Sequence, residues 1–141
     1  MEVRGPPILV HRLHLRKCST RIEEGRADGQ WDLHSEAPDL FQYLSESNLV
    51  IFKGDLNHRK LTYDCHAPLD TPFNVAIGPL ASEPGAPPVA SLRTIKSDVV
   101  VGIPAGVGEK LDEDEPGWKI SGKYAVVLLS EGRPGEAPKY V

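Results

Sequence analysis

The chain contains the stretch Leu49-Val-Ile-Phe-Lys-Gly-Asp-Leu-Asn-His-Arg-Lys60, in which a short apolar run changes abruptly to a dense polar one. Residues 49–52 have the composition of a buried strand, and Gly54 can form the sharp turn that follows it. A carboxylate, an amide, an imidazole and two cations come next. Ligands of open α/β sheets collect beyond the carboxyl ends of the strands. The stretch therefore predicts an α/β fold with an anion-binding crevice at the end of this strand.

The polar residues of this stretch suit a phosphorylated ligand. Arg59 offers a planar fork of donors, and Lys53 and Lys60 offer ammonium charges. Asp55 can bind a metal or the hydroxyls of a sugar. The same residues also fit a solvated loop, in which Asp55 caps the next turn and Arg59 forms a surface ion pair worth about 0–1 kcal/mol. Both interpretations remain open on this stretch alone.

The composition is that of a soluble globular domain. The chain has 141 residues, of which 40% are hydrophobic and 26% are charged, and its net charge is −4. This charge gives no overall reason to expect nucleic acid or an anionic membrane as a partner. Cys18 and Cys65 are isolated, which disfavours a disulfide framework or a zinc site and favours a reducing, cytoplasmic location. No apolar run approaches the roughly 20 residues of a membrane span.

Three parts of the chain are predicted: a leader at 1–30 without an assigned structure, a domain at 31–130 and a flexible tail at 131–141. The first 22 residues hold five Lys or Arg side chains and one acid, as a mitochondrial transit peptide does. Their apolar residues form no clean helical stripe with the cations opposite, which disfavours that interpretation.

Helix and strand signals alternate through the first half of the predicted domain. A helix that starts within Ser35-Glu-Ala-Pro38 and ends near Ser47-Asn48 has proline in its first turn, where no amide donor is needed, and leads directly into the strand at 49–52. A second helix over 71–78 begins with a Thr-Pro pair, which gives an N-cap and then a proline. Phe73 and Ile77 lie four apart in it and are expected to pack inward together.

The second half is predicted from turn signals and apolar runs. The final strand has a nearly continuous apolar run, which is typical of a central strand covered on both faces. The acidic segment before it lacks a calcium-loop pattern and is predicted to be a solvated loop. The predicted segments are a mobile surface loop at 82–88, strands at 89–92 and 99–103, the acidic loop at 106–118 and the final strand at 123–129.

A second polar cluster, Arg93-Thr94-Ile95-Lys96, follows the predicted strand at 89–92. Two parallel strands that end at one sheet edge bring Asp55, Asn57, Arg59 and Lys96 to a shared crevice. A phosphoryl group in that crevice meets charge-assisted donors, which are the main means by which proteins stabilise its transfer.

Four ordered motifs in residues 31–130 resemble the metal-dependent damage-control phosphatase family. The closest branch carries an Arg-Thr-x-Lys signature and is associated with sugar phosphate phosphatase activity and with acidic residue (protein-glutamate) methyltransferase activity. The motifs are LVIFKGDLNHRKL (49–61), TPF (71–73), LRTIKSDVVVG (92–102) and WKISGKYAV (118–126).

The resemblance implies a three-layer α/β/α Rossmann-like fold and the hydrolysis of small phosphorylated metabolites such as fructose 1-phosphate and fructose 6-phosphate. It also implies a divalent manganese, cobalt or nickel ion that polarises the phosphate. His58 stands where the family usually has Tyr, and Asp55 and Lys96 are the expected catalytic residues. The substrate-binding residues implied by the family pattern and the signature are Asp55, Leu56, Asn57, His58, Arg59, Arg93 and Lys96.

The chain departs from the family in its metal ligands. The family holds its metal with an Asp-Asn pair and a further Asp well upstream of these motifs, and no Asp-Asn dipeptide occurs in this chain. We therefore expect an incomplete domain without metal ligands and with impaired hydrolysis, in which strands at 99–103 and 124–129 expose apolar faces. The alternatives are a non-catalytic module that binds a phosphate ligand, and the methyltransferase. No nucleotide fingerprint of the G-x-G-x-x-G type supports the latter.

Overall fold

A computed structural model describes residues 37–133, which form helices around one small sheet. The predicted leader and most of the predicted tail lie outside these residues. No helix in the part described is long and apolar enough to cross a membrane. The elements, in chain order, are α1 (Pro38–Ser45), β1 (Val50–Lys53), α2 (Asp55–Leu61), α3 (Phe73–Ala76), α4 (Pro79–Ser82), β2 (Val89–Thr94), α5 (Val107–Asp114), α6 (Trp118–Ser121) and β3 (Ala125–Ser130).

The sheet is mixed, with the strand order β1-β2-β3. β1 pairs in parallel with β2, and Val50 lies opposite Val89. β3 pairs antiparallel with β2, and Leu92 lies opposite Val127. The predicted α/β class is therefore confirmed. The predicted central position of the last strand is wrong, because β2 lies in the middle and β3 pairs, among the described residues, with β2 alone.

One face of the sheet carries the main core. Val50, Phe52 and Val89 point to this face and pack with Phe41 and Leu44 of α1. Phe73 and Ile77 are also buried, as predicted. Helix α1 and strand β1 thus form as expected, since the apolar face of the helix lies on the apolar strand that follows it.

The opposite face of the sheet is left open by the described residues. Val127 and Leu129 of β3 are 76% and 60% exposed, and Leu92 of β2 lies beside them at 36%. The expected apolar exposure is confirmed for this strand. It is wrong for residues 99–103, where Val99, Val100, Val101 and Ile103 are all at most 8% exposed.

Residues 99–103 do not form the predicted strand. Their backbone meets the segment before α3 in two hydrogen bonds, from Gly102 N to Thr71 O at 2.9 Å and from Ile103 N to Leu69 O at 2.8 Å. Gly102 has φ +72°, which interrupts the extended conformation that a ladder needs. The segment is therefore a buried, irregular connection that belongs to no strand of the described residues.

Two predicted loops have more structure than expected. The acidic segment contains the helices α5 and α6, and Trp118 at the start of α6 is fully buried with Ile95, Val100 and Ile103 in a second core cluster. In the segment 82–88, Ala86 is 1% exposed and pairs with Arg133 beyond β3. Burial of this kind shows that 82–88 is part of the packed fold and not a simple surface loop.

Candidate functional site

The ends of β1 and β2 lie side by side because the strands are parallel. Gly54 follows β1 with φ +99°, and its N–H donates to Leu92 O at 2.8 Å. A residue with a Cβ adopts this conformation rarely. The turn carries the chain directly from the strand into α2, so that residues 55–59, which the family pattern implies to bind substrate, lie in a helix starting at Asp55.

Asp55 is the point where the two strand ends are joined. Its Oδ1 accepts hydrogen bonds from Arg93 Nε at 2.8 Å and from the backbone N–H of Lys96 at 3.2 Å, with Ser97 Oγ at 3.5 Å. Arg93 Nη2 also lies 2.8 Å from the same oxygen. Helix α2 is capped by Gly54, not by Asp55, so this carboxylate serves the tertiary contact.

Arg93 lies inside β2 and not beyond its end as predicted. Its side chain is fully buried, since positions 89, 91 and 93 share the covered face of the strand. Nη1 donates to Val99 O, and Nη2 donates to Ser97 Oγ at 2.7 Å and Ser97 O at 3.2 Å. Burial lowers the pKa of Arg93, while the charge of Asp55 opposes that shift. Arg93 thus connects three segments of the protein beneath the surface of the site.

Lys96 and Asn57 lie on the rim of this cluster. The backbone of Lys96 is tied to Asp55, whereas its side chain is exposed and passes close to Gly122, where an added methyl group would lie 3.7 Å from Cε. Asn57 Nδ2 donates to Lys53 O at 2.8 Å, which ties α2 back to the end of β1. Leu56 is 60% exposed beside them. The side chain of Lys96 is therefore accessible from solvent at the end of β2.

Arg59 forms an ion pair that the sequence interpretation left open. Its Nε and Nη2 atoms each donate to a carboxylate oxygen of Asp64 at 2.6 Å. The side chains of Arg59 and Asp64 are 36% and 54% exposed. This hydrogen-bonded pair raises the pKa of Arg59, and the nearby charges of Asp55 and Asp98 act in the same direction.

His58 lies under the site and not in its opening. The side chain is fully buried, Nδ1 lies 2.9 Å from Ser91 Oγ, and the ring stacks on Phe73 at 6.0 Å between centroids. Burial, with the Arg93 charge as a second cause, lowers the pKa of His58 to about 4. The imidazole is therefore neutral at pH 7, and among the described residues its Nε2 has no hydrogen-bond partner.

Residues 37–133 do not fit a divalent metal ion. They contain no group of three or more His, Cys, Asp or Glu side chains that could hold one. The Oδ1 atom of Asp55 already accepts hydrogen bonds from Arg93 and from the Lys96 amide. Ions such as magnesium and calcium need several oxygen ligands in a fixed arrangement, and one engaged carboxylate does not provide them.

Three residues of the cluster are absent from the set predicted by sequence. Ser97 and Ser91 contact Arg93 and His58, and Asp64 holds Arg59. Ser91 could be inferred from its shared face with Arg93, because alternate residues of a strand point the same way. Asp64 gives no such signal, since it reaches Arg59 through an irregular turn.

Residues 11–111 match the family model of the damage-control phosphatase ARMT1-like domain. The chain belongs to the ARMT1-like damage-control phosphatase domain family. The match begins inside the predicted leader and includes both strand ends of the site. Family membership therefore covers Asp55, Arg59, Arg93 and Lys96 together with the elements that position them.

Individual relatives of this family agree with that result. Damage-control phosphatase ARMT1 of Xenopus tropicalis is 52% identical over 131 residues, and the Xenopus laevis protein is 41% identical; each alignment covers 82% of this chain and 29% of the relative. The Homo sapiens protein is 34% identical over 127 residues, with 79% and 28% covered. The chain thus spans less than a third of the length of these relatives.

Proposed function

We propose that the cluster at the ends of β1 and β2 binds the phosphate of a small sugar phosphate, of the fructose 1-phosphate or fructose 6-phosphate type, for hydrolysis. The observation that carries this proposal is the junction of the two strand ends at Asp55, next to which the side chain of Lys96 is exposed and that of Arg59 is partly exposed. Membership in a phosphatase family supports hydrolysis as the reaction.

The site residues fall into two groups, namely rim residues that are proposed to contact the ligand and buried residues that support the rim. Lys96 and Arg59 provide the positive charge that a phosphoryl group needs. Asn57 and the outer part of Asp55, whose side chain is 20% exposed, are suited to hydroxyl groups of the sugar. Arg93, which the sequence predicts to bind substrate, belongs to the buried supporting group, because its N–H groups donate to protein atoms.

His58 lies among the buried supporting residues of the site, whereas Leu56 lies on its exposed rim. His58 is fully buried and supports α2 from below through Ser91, so that its effect on substrate binding is indirect. Leu56 is exposed and can contact the apolar edge of a sugar ring. Both residues stay within the proposed site, but neither supplies charge to the phosphate.

The domain that carries this site is proposed to be a three-layer α/β/α structure in full-length members. The covered face of the sheet already has its helices, while Val127 and Leu129 on the other face are open. Exposed apolar sheet surface of this kind marks a packing site. The divalent ion of the family is proposed to come from ligands outside residues 37–133, because those residues lack a set that fits it.

Phosphate release and ligand binding, measured side by side, test the proposal. The chain and a full-length relative are each given fructose 1-phosphate with manganese or cobalt, and inorganic phosphate is measured by a colorimetric assay. We expect turnover by the relative, and binding with little turnover by the chain. Absence of both turnover by the relative and binding by the chain would overturn the phosphatase assignment. Robust turnover by the chain would instead overturn the claim that its metal site is incomplete.

A non-catalytic phosphate-binding module is the second candidate. It is favoured by the same absence of a ligating group in residues 37–133, because binding needs the cationic rim and not the metal. The full-length relative separates the two functions. Turnover by the relative supports hydrolysis, whereas binding without turnover by both the relative and the chain, at every metal concentration, supports the module.

A further inference from the structure

The carboxylate of Asp64 accepts two hydrogen bonds from one edge of the Arg59 guanidinium. The atoms Nε and Nη2 of Arg59 lie 2.6 Å from Oδ1 and Oδ2 of Asp64, which is the parallel arrangement that gives a carboxylate–arginine pair its directionality. Both side chains are accessible to solvent, at 36% and 54% exposure. Pairs as exposed as this add little to stability, so the fixed orientation is the feature that needs a reason.

The backbone turn that delivers Asp64 has an uncommon conformation. Tyr63 and Asp64 have φ +60° and +55°, and consecutive left-handed residues other than glycine are rare. The Asp64 N–H donates to Arg59 O at 2.7 Å, and Tyr63 OH donates to Ile77 O at 3.2 Å. Strained backbone of this kind persists only where the surroundings enforce it, and it concentrates at functional sites.

The contact with Asp64 leaves the other edge of Arg59 available. In residues 37–133 the Nη1 atom has no hydrogen-bond partner, and a guanidinium can offer two parallel N–H groups from its Nη1–Nη2 edge. The hydrogen bond with Asp64 raises the pKa of Arg59, and the charges of Asp55 and Asp98 act in the same direction. Arg59 is thus presented as a fixed fork on the rim of the proposed phosphate site.

We infer that Asp64 is a positioning residue, which holds Arg59 ready to bind an oxyanion on its outer edge. This inference rests on the proposed phosphate-binding function. Preorganisation of a long side chain improves affinity because less rotamer freedom is lost on binding. The opposite role, a carboxylate that competes with phosphate for Arg59, predicts a change of the opposite sign.

The sign of the effect of Asp64→Asn on inorganic phosphate binding decides between these roles. Binding to the wild-type chain, Asp64→Asn and Asp98→Asn is measured by calorimetry at fixed ionic strength. Positioning predicts that Asp64→Asn binds about 3- to 10-fold more weakly, although it removes a negative charge. Asp98→Asn is the matched control, since it removes the same charge from a residue that does not hydrogen-bond Arg59, and it should bind equally well or more tightly. Unchanged or tighter binding by Asp64→Asn would overturn the inference.

A spectroscopic signature separates positioning from general loss of structure. The Nε–H resonance of Arg59 should be sharp in wild type and broadened in Asp64→Asn, while the backbone amide spectrum elsewhere is retained. In an Arg59→Met background the Asp64→Asn change should have no further effect on phosphate binding. A wild-type chain that binds no phosphate would refute the proposed function, whereas wild-type binding that Asp64→Asn leaves intact would refute the positioning role alone.

Discussion

The buried pair of Arg93 and Asp55 should contribute far more to stability than the exposed pair of Arg59 and Asp64. Both are short arginine–aspartate contacts, at 2.8 and 2.6 Å, but the Arg93 side chain is 0% exposed and the Arg59 side chain is 36% exposed. The change Asp55→Ala leaves the Arg93 charge buried without its counter-ion. Buried charges that lose their partner typically cost 3–5 kcal/mol of folding free energy.

The magnitude follows from the geometry of the pair. Two unit charges about 4 Å apart interact by about 4 kcal/mol at an effective dielectric constant of about 20. Asp55 is 20% exposed, which weakens the interaction somewhat, so we expect Asp55→Ala to lower the free energy of unfolding by about 3 kcal/mol. Arg59→Met is the matched control and should cost less than about 1 kcal/mol.

Urea unfolding at low protein concentration measures both changes, with tryptophan fluorescence, to which the fully buried Trp118 contributes, as the probe. The double variant Arg93→Met with Asp55→Ala should be more stable than the sum of the single changes predicts, because it removes the uncompensated charge. A loss of less than 1 kcal/mol for Asp55→Ala, or equal losses for Asp55→Ala and Arg59→Met, would refute the account of the buried junction.

Three further predictions concern other parts of the fold. Because the pKa of His58 is lowered to about 4 in the folded state, folding stability should fall by up to about 3 kcal/mol as the pH drops from about 6.5 to 4. His58→Gln should reduce this pH dependence in urea titrations, and an unchanged pH dependence would contradict the prediction. Gly102→Ala should lower the unfolding midpoint more than Gly106→Ala. Both glycines have positive φ, but only the methyl group added at Gly102 would contact Leu128, at 2.7 Å. Equal shifts of the two midpoints would contradict the prediction, because they would mean that Leu128 moves aside without loss of stability. Val127→Thr with Leu129→Thr should reduce aggregation in light scattering and change stability by less than about 0.5 kcal/mol, whereas strong destabilisation would mean that this face is covered.

The sequence predicts the first strand and the turn after it well and the later connections poorly, for identifiable reasons. The run at 49–52 is short, apolar and followed by Gly54, so local composition alone indicates a strand and a turn. The run at 99–103 looks equally strand-like, yet Arg93 donates a hydrogen bond to the carbonyl oxygen of Val99, and Gly102 adopts a positive φ. Contacts from a distant arginine are not visible in a local pattern.

The same limit applies to the site. Prediction of the second strand as 89–92 stops one residue before Arg93, and the alternation that places Arg93 on the covered face is then lost. Dense polar residues after Gly54 read as a loop, although they form α2 with His58 and Leu61 as its buried side. Burial of a histidine and an arginine depends on partners across the fold, such as Ser91, and therefore needs the structure.

The most direct test of the central claim is where a phosphorylated sugar binds. Fructose 1-phosphate is titrated into the isotope-labelled chain, and amide shifts are followed by two-dimensional NMR, with fructose as the control ligand. We predict shifts at 55–59 and at 96–97 that fructose does not produce and that Lys96→Met abolishes. Shifts confined to the open face of β3, or equal shifts with fructose, would contradict this prediction.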